Sequence, residues 1–352
     1  MVDFAGWSMP VQYSSIVDEH TAARTSAGLF DISHMGRLRF DGPGIRDFLD
    51  HLLTRRVSDM RPGQIRYSLV TDDHAHVLDD VLLYALQDAA GGEYGLLVVN
   101  ASNRLKIVAW IDSKLAETGA RDVSVTDVTT NWAMIAVQGP RAIELLQPLV
   151  DVPIAKMKYY TGVESRIGGH GGIVSRTGYT GEDGCELIVG AKAVESIWQT
   201  LHDAGAKPCG LGSRDTLRLE AGMPLYGHEL SEEISLAECG LDFAINLDGR
   251  AFFGSEALGE QLKHPKRVRV GIALEGKRVA REGMAVTSAD GRAIGTTTSG
   301  TFSPTLNKPI AMAFVERDAG AVGSAVGVDI RGNVTPGQIV ELPFYRRPKP
   351  AR

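Results

Sequence analysis

The segment Val77–Tyr84 reads VLDDVLLY and sets two carboxylates, Asp79 and Asp80, at the head of an otherwise apolar strand. Acid at such a position is costly to bury without partners, so the pair is a candidate for moving a proton or steadying charge on a ligand. Side chains alternate along a strand, which puts Asp80, Leu82 and Tyr84 on one face and Asp79, Val81 and Leu83 on the other. One carboxylate can then face a cavity while its neighbour caps a turn. Both could equally sit solvated in the turn TDDHAHVLDD.

Two other segments carry polar groups in suggestive order. GYTGEDGCE, residues 178–186, mixes turn glycines with Tyr179, Glu182, Asp183 and Glu186. Glycine lets backbone pass close to a ligand, and a glutamate at the strand entrance can accept hydrogen bonds from a heterocycle bearing amino donors. A plain hairpin turn with solvated acids fits the same letters. GLGSRDTLRLE, residues 210–220, sets Arg214 and Arg218 on one helix face, able to grip an anion or to pair with Asp215 and Glu220. His74 and His76 stand beside acids in TDDHAH, yet all fall in one loop without a distant ligand set, so no metal site is expected. Asp31 and His34 in DISHMG read as members of a structural hydrogen bond. The GxSxG nucleophile elbow is missing.

The elements that must position these residues are legible from their periods. Apolar residues Val194, Ile197, Trp198 and Leu201 mark a helix stopped by Gly205, and a second helix spans Asn103 to Thr118 with Asn103 as candidate N-cap and Gly119 beyond its end. A third starts at Pro140 and runs through Leu145 and Leu146, and a shorter one holds Ile45, Phe48, Leu49 and Leu52. Strands are predicted at 80–84, 95–99, 133–137 and 187–189, and IGGHGGI, residues 167–173, reads as a hairpin turn. After Pro265 the helical period disappears. VRVGIAL, GMAVTS, AIGTTTSG, IAMAFV and SAVGVDI then read as strands of a separate all-β domain.

The 352 residues carry a formal charge of −6 with acids and bases interspersed, so no sustained positive face is available for nucleic acid. Cys185, Cys209 and Cys239 have no CxxC spacing, which points to reduced thiols. MVDFAGWSMP shows no basic segment followed by an apolar one, and no apolar run approaches the length of a membrane span. A cytoplasmic chain with no membrane partner is expected.

Taken together, MVDFAGWSMPVQY, LFDISHMG, YSLVTDDHAHVLDD, VVNAS, AVQGP, GYTGEDGCE, GLGSRDTLRLEAGMPLYGHEL and TSGTFSPTLNKPIAMAFV resemble the T-protein family of the glycine cleavage system, from one end of the chain to the other. The resemblance implies an α+β fold: a three-domain cloverleaf around a central folate channel, with a ferredoxin-like N-terminal region and a C-terminal β-barrel. Residues 1–265 would form the folate-binding aminomethyltransferase region from two interleaved subdomains, and 266–352 the barrel. It also implies a reaction: an aminomethyl group on the lipoyl arm of H-protein gives its methylene to tetrahydrofolate, releasing ammonia and the dihydrolipoyl arm.

By the same resemblance the family's essential aspartate corresponds to Asp80, and folate contacts come from Tyr67, Tyr84, Asn100, Tyr179, Glu186, Arg214 and Tyr226, with Arg347 reaching the glutamate tail. Three features depart from the pattern. A further stretch usually precedes MVDFAGW, which suggests an upstream start or a trimmed N-terminal strand. Arg104, Leu105, Lys106 and Ile107 stand where the family often has Arg-Glu-Lys-Asp, altering a helix surface or the H-protein contact. Phe243 replaces a common Trp, a change compatible with packing. A relative on the same fold that demethylates a sulfonium or N-methyl substrate would alter the acidic pair, which is intact here. A non-enzymatic folate-binding relative would carry a cysteine before the tyrosine of RTGYTGEDGCE, which has none.

Overall fold

The acidic strand, Val77–Gln87, lies second in a five-stranded antiparallel sheet ordered Ile65–Thr71, Val77–Gln87, Glu93–Val99, Gly36–Asp41 and Ser124–Asp127. The computed structural model describes residues 1–348. Strand alternation works as the sequence predicts. Val81 and Leu83 pack with Phe48, Leu49, Ile107 and Ile111 of the helices Ile45–Leu52 and Arg104–Thr118. Tyr84 and Leu86 point the other way, against Met134, Ala136, Ile173 and Ile188 of a second sheet. Each such large apolar side chain contributes about 1.5–3 kcal/mol when fully buried.

The second sheet has six strands in the order Gly162–Ile167, His170–Ser175, Gly184–Gly190, Trp132–Gln138, Gly28–Asp31 and Lys207–Cys209. Its far face is covered by Ala142–Leu146 and Val194–Asp203, so the N-terminal part stacks helices, sheet, sheet and helices. The two sheets interleave once along the chain: Gly28–Asp31 of the six-stranded sheet comes first, the five-stranded sheet follows whole, and the rest of the six-stranded sheet comes after it. The IGGHGGI turn pairs Ile167 with His170, and Gly168 and Gly169 both adopt positive φ (56° and 83°), which suits a tight hairpin.

The C-terminal part is a closed barrel ordered Arg267–Leu274, Lys308–Glu316, Ala293–Ser303, Ala285–Ser288, Ala325–Asp329 and Val334–Val340. The sequence shows five of these strands. The sixth, VTPGQIV, is hidden by Pro336 and Gly337, yet it closes the barrel by pairing with both Arg267–Leu274 and Ala325–Asp329.

Several helix boundaries differ from expectation. The helix expected at Pro140 begins at Ala142, two residues later. Asn103 does not cap its helix with its side chain, which donates instead to Asp79, while Gly119 ends that helix in the left-handed conformation. Ile16–Thr25 escapes a periodicity search because its buried positions are Glu19, His20 and Ala23, and only Ala23 is apolar. Its signal is the cap: Ser15 Oγ accepts from Asp18 N at 3.1 Å. Among the described residues no helix is long and apolar enough to cross a membrane.

Candidate active site

Where the two sheets and the barrel meet lies a cavity of about 350 Å³. The five-stranded sheet brings Tyr67, Asp80 and Leu82 to it, the six-stranded sheet brings Met134 and Glu186, and the barrel brings Arg269. Asn100, Tyr179, Arg214 and Tyr226 add further polar groups to its wall.

The two aspartates occupy different environments. Asp79 is fully buried and accepts from Asn100 N (2.9 Å), Asn100 Nδ2 (2.9 Å) and Asn103 Nδ2 (2.6 Å). Asp80 faces the cavity, where Tyr67 Oη donates to its Oδ2 at 3.1 Å and Asn100 Nδ2 to its Oδ1 at 2.8 Å. Asn100 thus bridges both acids. Among the described residues no lysine or arginine forms an ion pair with either. Burial therefore pushes both carboxyls above the ordinary aspartate range, and the charge of Asp80 raises Asp79 further. The pair holds a proton more tightly than exposed aspartates do and titrates as a unit.

Glu186 sits across the cavity. Burial raises its carboxyl, against the hydrogen bond from Thr177 Oγ1 and the charge of Arg214. Arg214 forms no ion pair among the described residues and lies with its guanidinium 4.8 Å from the centre of the Tyr179 ring. Arg218, four residues on, is consumed. It donates to Asp215 (2.8 Å), Glu229 (3.0 Å) and Ser299 (2.8 Å), so only the first arginine of the helix face is available to a ligand.

Two residues expected to touch folate are not on the wall. Tyr84 is fully buried behind it, its Oη 3.3 Å from Ser175 Oγ, which is in turn 2.9 Å from the Thr177 hydroxyl that serves Glu186. It shares a strand face with Asp80, but at that depth the facing sheet has closed over it. Arg347 pairs with Asp183 at 3.2 Å, outside the cavity lining. Tyr226 does line the cavity, with its hydroxyl held between Val77 O (2.9 Å) and Lys106 Nζ (2.8 Å).

The wall also holds residues not expected on it. Arg269 reaches in from the first barrel strand, fixed by donation to Cys239 O and Gly222 O. Its strand reads as an ordinary barrel element, so no local signal marks it. Phe243 is 59% exposed and stacks on Tyr67 with ring centres 5.8 Å apart, so it furnishes cavity wall instead of core packing. Tyr160 lines the cavity at a φ of 60°, a conformation rare outside glycine. His34, expected in a structural hydrogen bond, lines the cavity without one among the described residues; Asp31 instead accepts from Ser33 N. The crowded glycines of GYTGEDGCE serve packing: a Cβ at Gly178 would lie 1.9 Å from Gln138 Oε1, and one at Gly184 would lie 2.2 Å from Val137 O.

The sequence matches the GCVT N-terminal domain family over residues 1–249 and the glycine cleavage T-protein C-terminal barrel domain family over 267–346. It is 45% identical to an aminomethyltransferase of Streptomyces avermitilis across 99% of this chain and 94% of that protein. It is 46% identical to one of Rubrobacter xylanophilus across 99% and 91%. The fold is similar to the crystal structure of glycine cleavage system aminomethyltransferase T from Bartonella henselae, with a TM-score of 0.90 and 31% identity over 98% of this chain and 94% of that one. A shared fold alone would leave the chemistry open, but these relatives match across nearly the whole chain, a span that includes the acidic strand and the barrel. The chain therefore belongs to the aminomethyltransferase family, the T-proteins of the glycine cleavage system.

Proposed function

We propose that the central cavity binds tetrahydrofolate and that the chain passes to it the methylene of an aminomethyl group carried on the lipoyl arm of H-protein. The products are 5,10-methylenetetrahydrofolate, ammonia and dihydrolipoyl H-protein. The methylene carbon loses its bonds to sulfur and to the amino nitrogen and gains bonds to two folate nitrogens. The two protons shed by those nitrogens leave on sulfur and on ammonia, so no oxidant or reductant is needed. In this reading residues 1–265 form the folate-binding region and 266–352 the barrel domain of a cytoplasmic protein.

The observation that carries the reading is the set of groups gathered in one cavity: Asp80 without a cation and Arg214 without an ion-pair partner among the described residues, Glu186 as acceptor, and the flat walls of Tyr67, Tyr179 and Phe243. A pterin offers an aromatic face to such walls and amino donors to a carboxylate. Asp80, when ionised, steadies positive charge as a folate nitrogen attacks the methylene carbon, and it holds that nitrogen in line. The test is methylenetetrahydrofolate formation with aminomethylated H-protein supplied. Turnover of sulfonium or N-methyl donors in its place would overturn the assignment.

Two outcomes follow for the wall. Glu186→Ala is expected to raise the tetrahydrofolate dissociation constant about 10- to 100-fold, the worth of a charge-assisted hydrogen bond, with titration calorimetry as the measurement. Tyr67→Phe removes a donor that favours ionised Asp80. Loss of that donor raises the pKa of the pair, so the acid limb of the kcat/KM profile is expected to move to higher pH. An unmoved limb would separate the pair from the rate.

A further inference from the structure

His34 stands on the cavity wall at 3% exposure, edge-on to Phe4 with ring centres 5.3 Å apart, and it also borders a neighbouring cavity of about 440 Å³. Its Nδ1 is enclosed and has no hydrogen-bond partner among the described residues. A buried acceptor without a partner costs less than a buried N–H without one, so the ring proton belongs on Nε2, the nitrogen left to face the cavity. Burial and the charges of Arg214 and Arg37 lower the imidazole pKa to about 3, so the ring is a neutral donor. His34, Glu186 and Arg214 line the same cavity, and the charge of Arg214 bears on both of the others.

We propose that His34 donates from Nε2 to the ring carbonyl of the pterin, beside the amino edge that Glu186 accepts. This rests on tetrahydrofolate being the occupant of the cavity. Along the pyrimidine edge of a pterin the amino and ring N–H donors are followed directly by a carbonyl, so a carboxylate needs a donor next to it to complete recognition. Arg214 supplies charge there, and His34 supplies direction without adding a second positive charge.

The experiment compares tetrahydrofolate with its 4-amino counterpart, in which that carbonyl is replaced by a donor. Wild-type protein is expected to favour tetrahydrofolate, and His34→Ala to shrink the preference by about 10-fold, the upper worth of one neutral hydrogen bond. His34→Gln, which keeps a donor, should restore part of it. Nitrogen-15 spectra of the wild-type histidines should show a protonated Nε2 that shifts on adding tetrahydrofolate, a readout independent of whether the variants fold. An unchanged ligand preference in folded His34→Ala, or an Nε2 resonance indifferent to tetrahydrofolate, overturns the role of His34 alone. Failure of the wild-type protein to bind tetrahydrofolate overturns the folate reading with it.

Discussion

Asp80→Asn is expected to lower methylene transfer about 10²- to 10⁴-fold, the range for losing a positioned acid–base or charge-stabilising group. Stability should not fall with it. A carboxyl whose pKa is higher folded than unfolded costs stability as pH rises above the unfolded value, and both members of this pair are raised. An amide at position 80 removes that cost and relieves the repulsion on Asp79. The variant should therefore unfold at or above the wild-type temperature near neutral pH, while the product assay with aminomethylated H-protein shows little turnover. Asp79→Asn should behave in the opposite way. Its buried carboxylate receives three N–H donors, and an amide would turn one donor against another. Its main loss should be in thermal stability. Full activity in Asp80→Asn would remove this aspartate from the chemistry.

Glu220→Ala is expected to cost about 3–5 kcal/mol, the usual penalty for breaking a buried ion pair by removing one partner. Glu220 is fully buried at the end of the helix Leu211–Glu220. It accepts from Arg24 Nη2 at 2.8 Å and lies 3.2 Å from His20 Nε2, both on the helix Ile16–Thr25. From the barrel side it accepts from Thr305 N (3.1 Å), Thr305 Oγ1 (2.8 Å) and Ser303 Oγ. Alanine would remove one of the two carboxylates that pair with Arg24, leaving only Glu182 at 3.0 Å, and would loosen the seam between the N-terminal helix and the barrel. Burial alone would raise the Glu220 pKa, but the hydrogen bonds of His20 and Ser303 and the charge of Arg24 outweigh it and hold the carboxyl at about 2.

A carboxyl depressed in this way stabilises the fold fully above its unfolded value of 4.5 and loses that contribution as pH falls toward about 2. Urea unfolding of wild type and Glu220→Ala should therefore differ most at neutral pH and converge through that acid window. A constant difference down to the lowest pH would mean that shape, not charge, is what the seam requires. Limited proteolysis should release the barrel from the variant first, because the broken contacts are those that dock it.

Much of this was local enough to be written in the sequence. Alternation by itself separates Asp79 from Asp80, and the observed faces agree, because the side-chain period of a strand does not depend on what packs against it. The helix that ends at Gly119, the hairpin at Gly168 and Gly169, and the change to strands after Pro265 follow from turn chemistry and period. The eight matching stretches identify the family because their order is a property of the chain alone.

What the tertiary structure decided was which candidates meet. Arg214 and Arg218 look alike on one helix face, but Glu229 and Ser299 reach Arg218 from elsewhere and leave only Arg214 for a ligand. Tyr84 shares a face with Asp80, yet the second sheet closes over it. Arg269 comes from a domain that the sequence reads as separate, and His34 is freed for the cavity by the absence of the partner it was expected to have. Period and turn residues act over a few positions. Which buried polar group is satisfied, and which remains free to bind, depends on partners as distant along the chain as Ser299 is from Arg218, 81 residues, and only the packed chain brings them within reach.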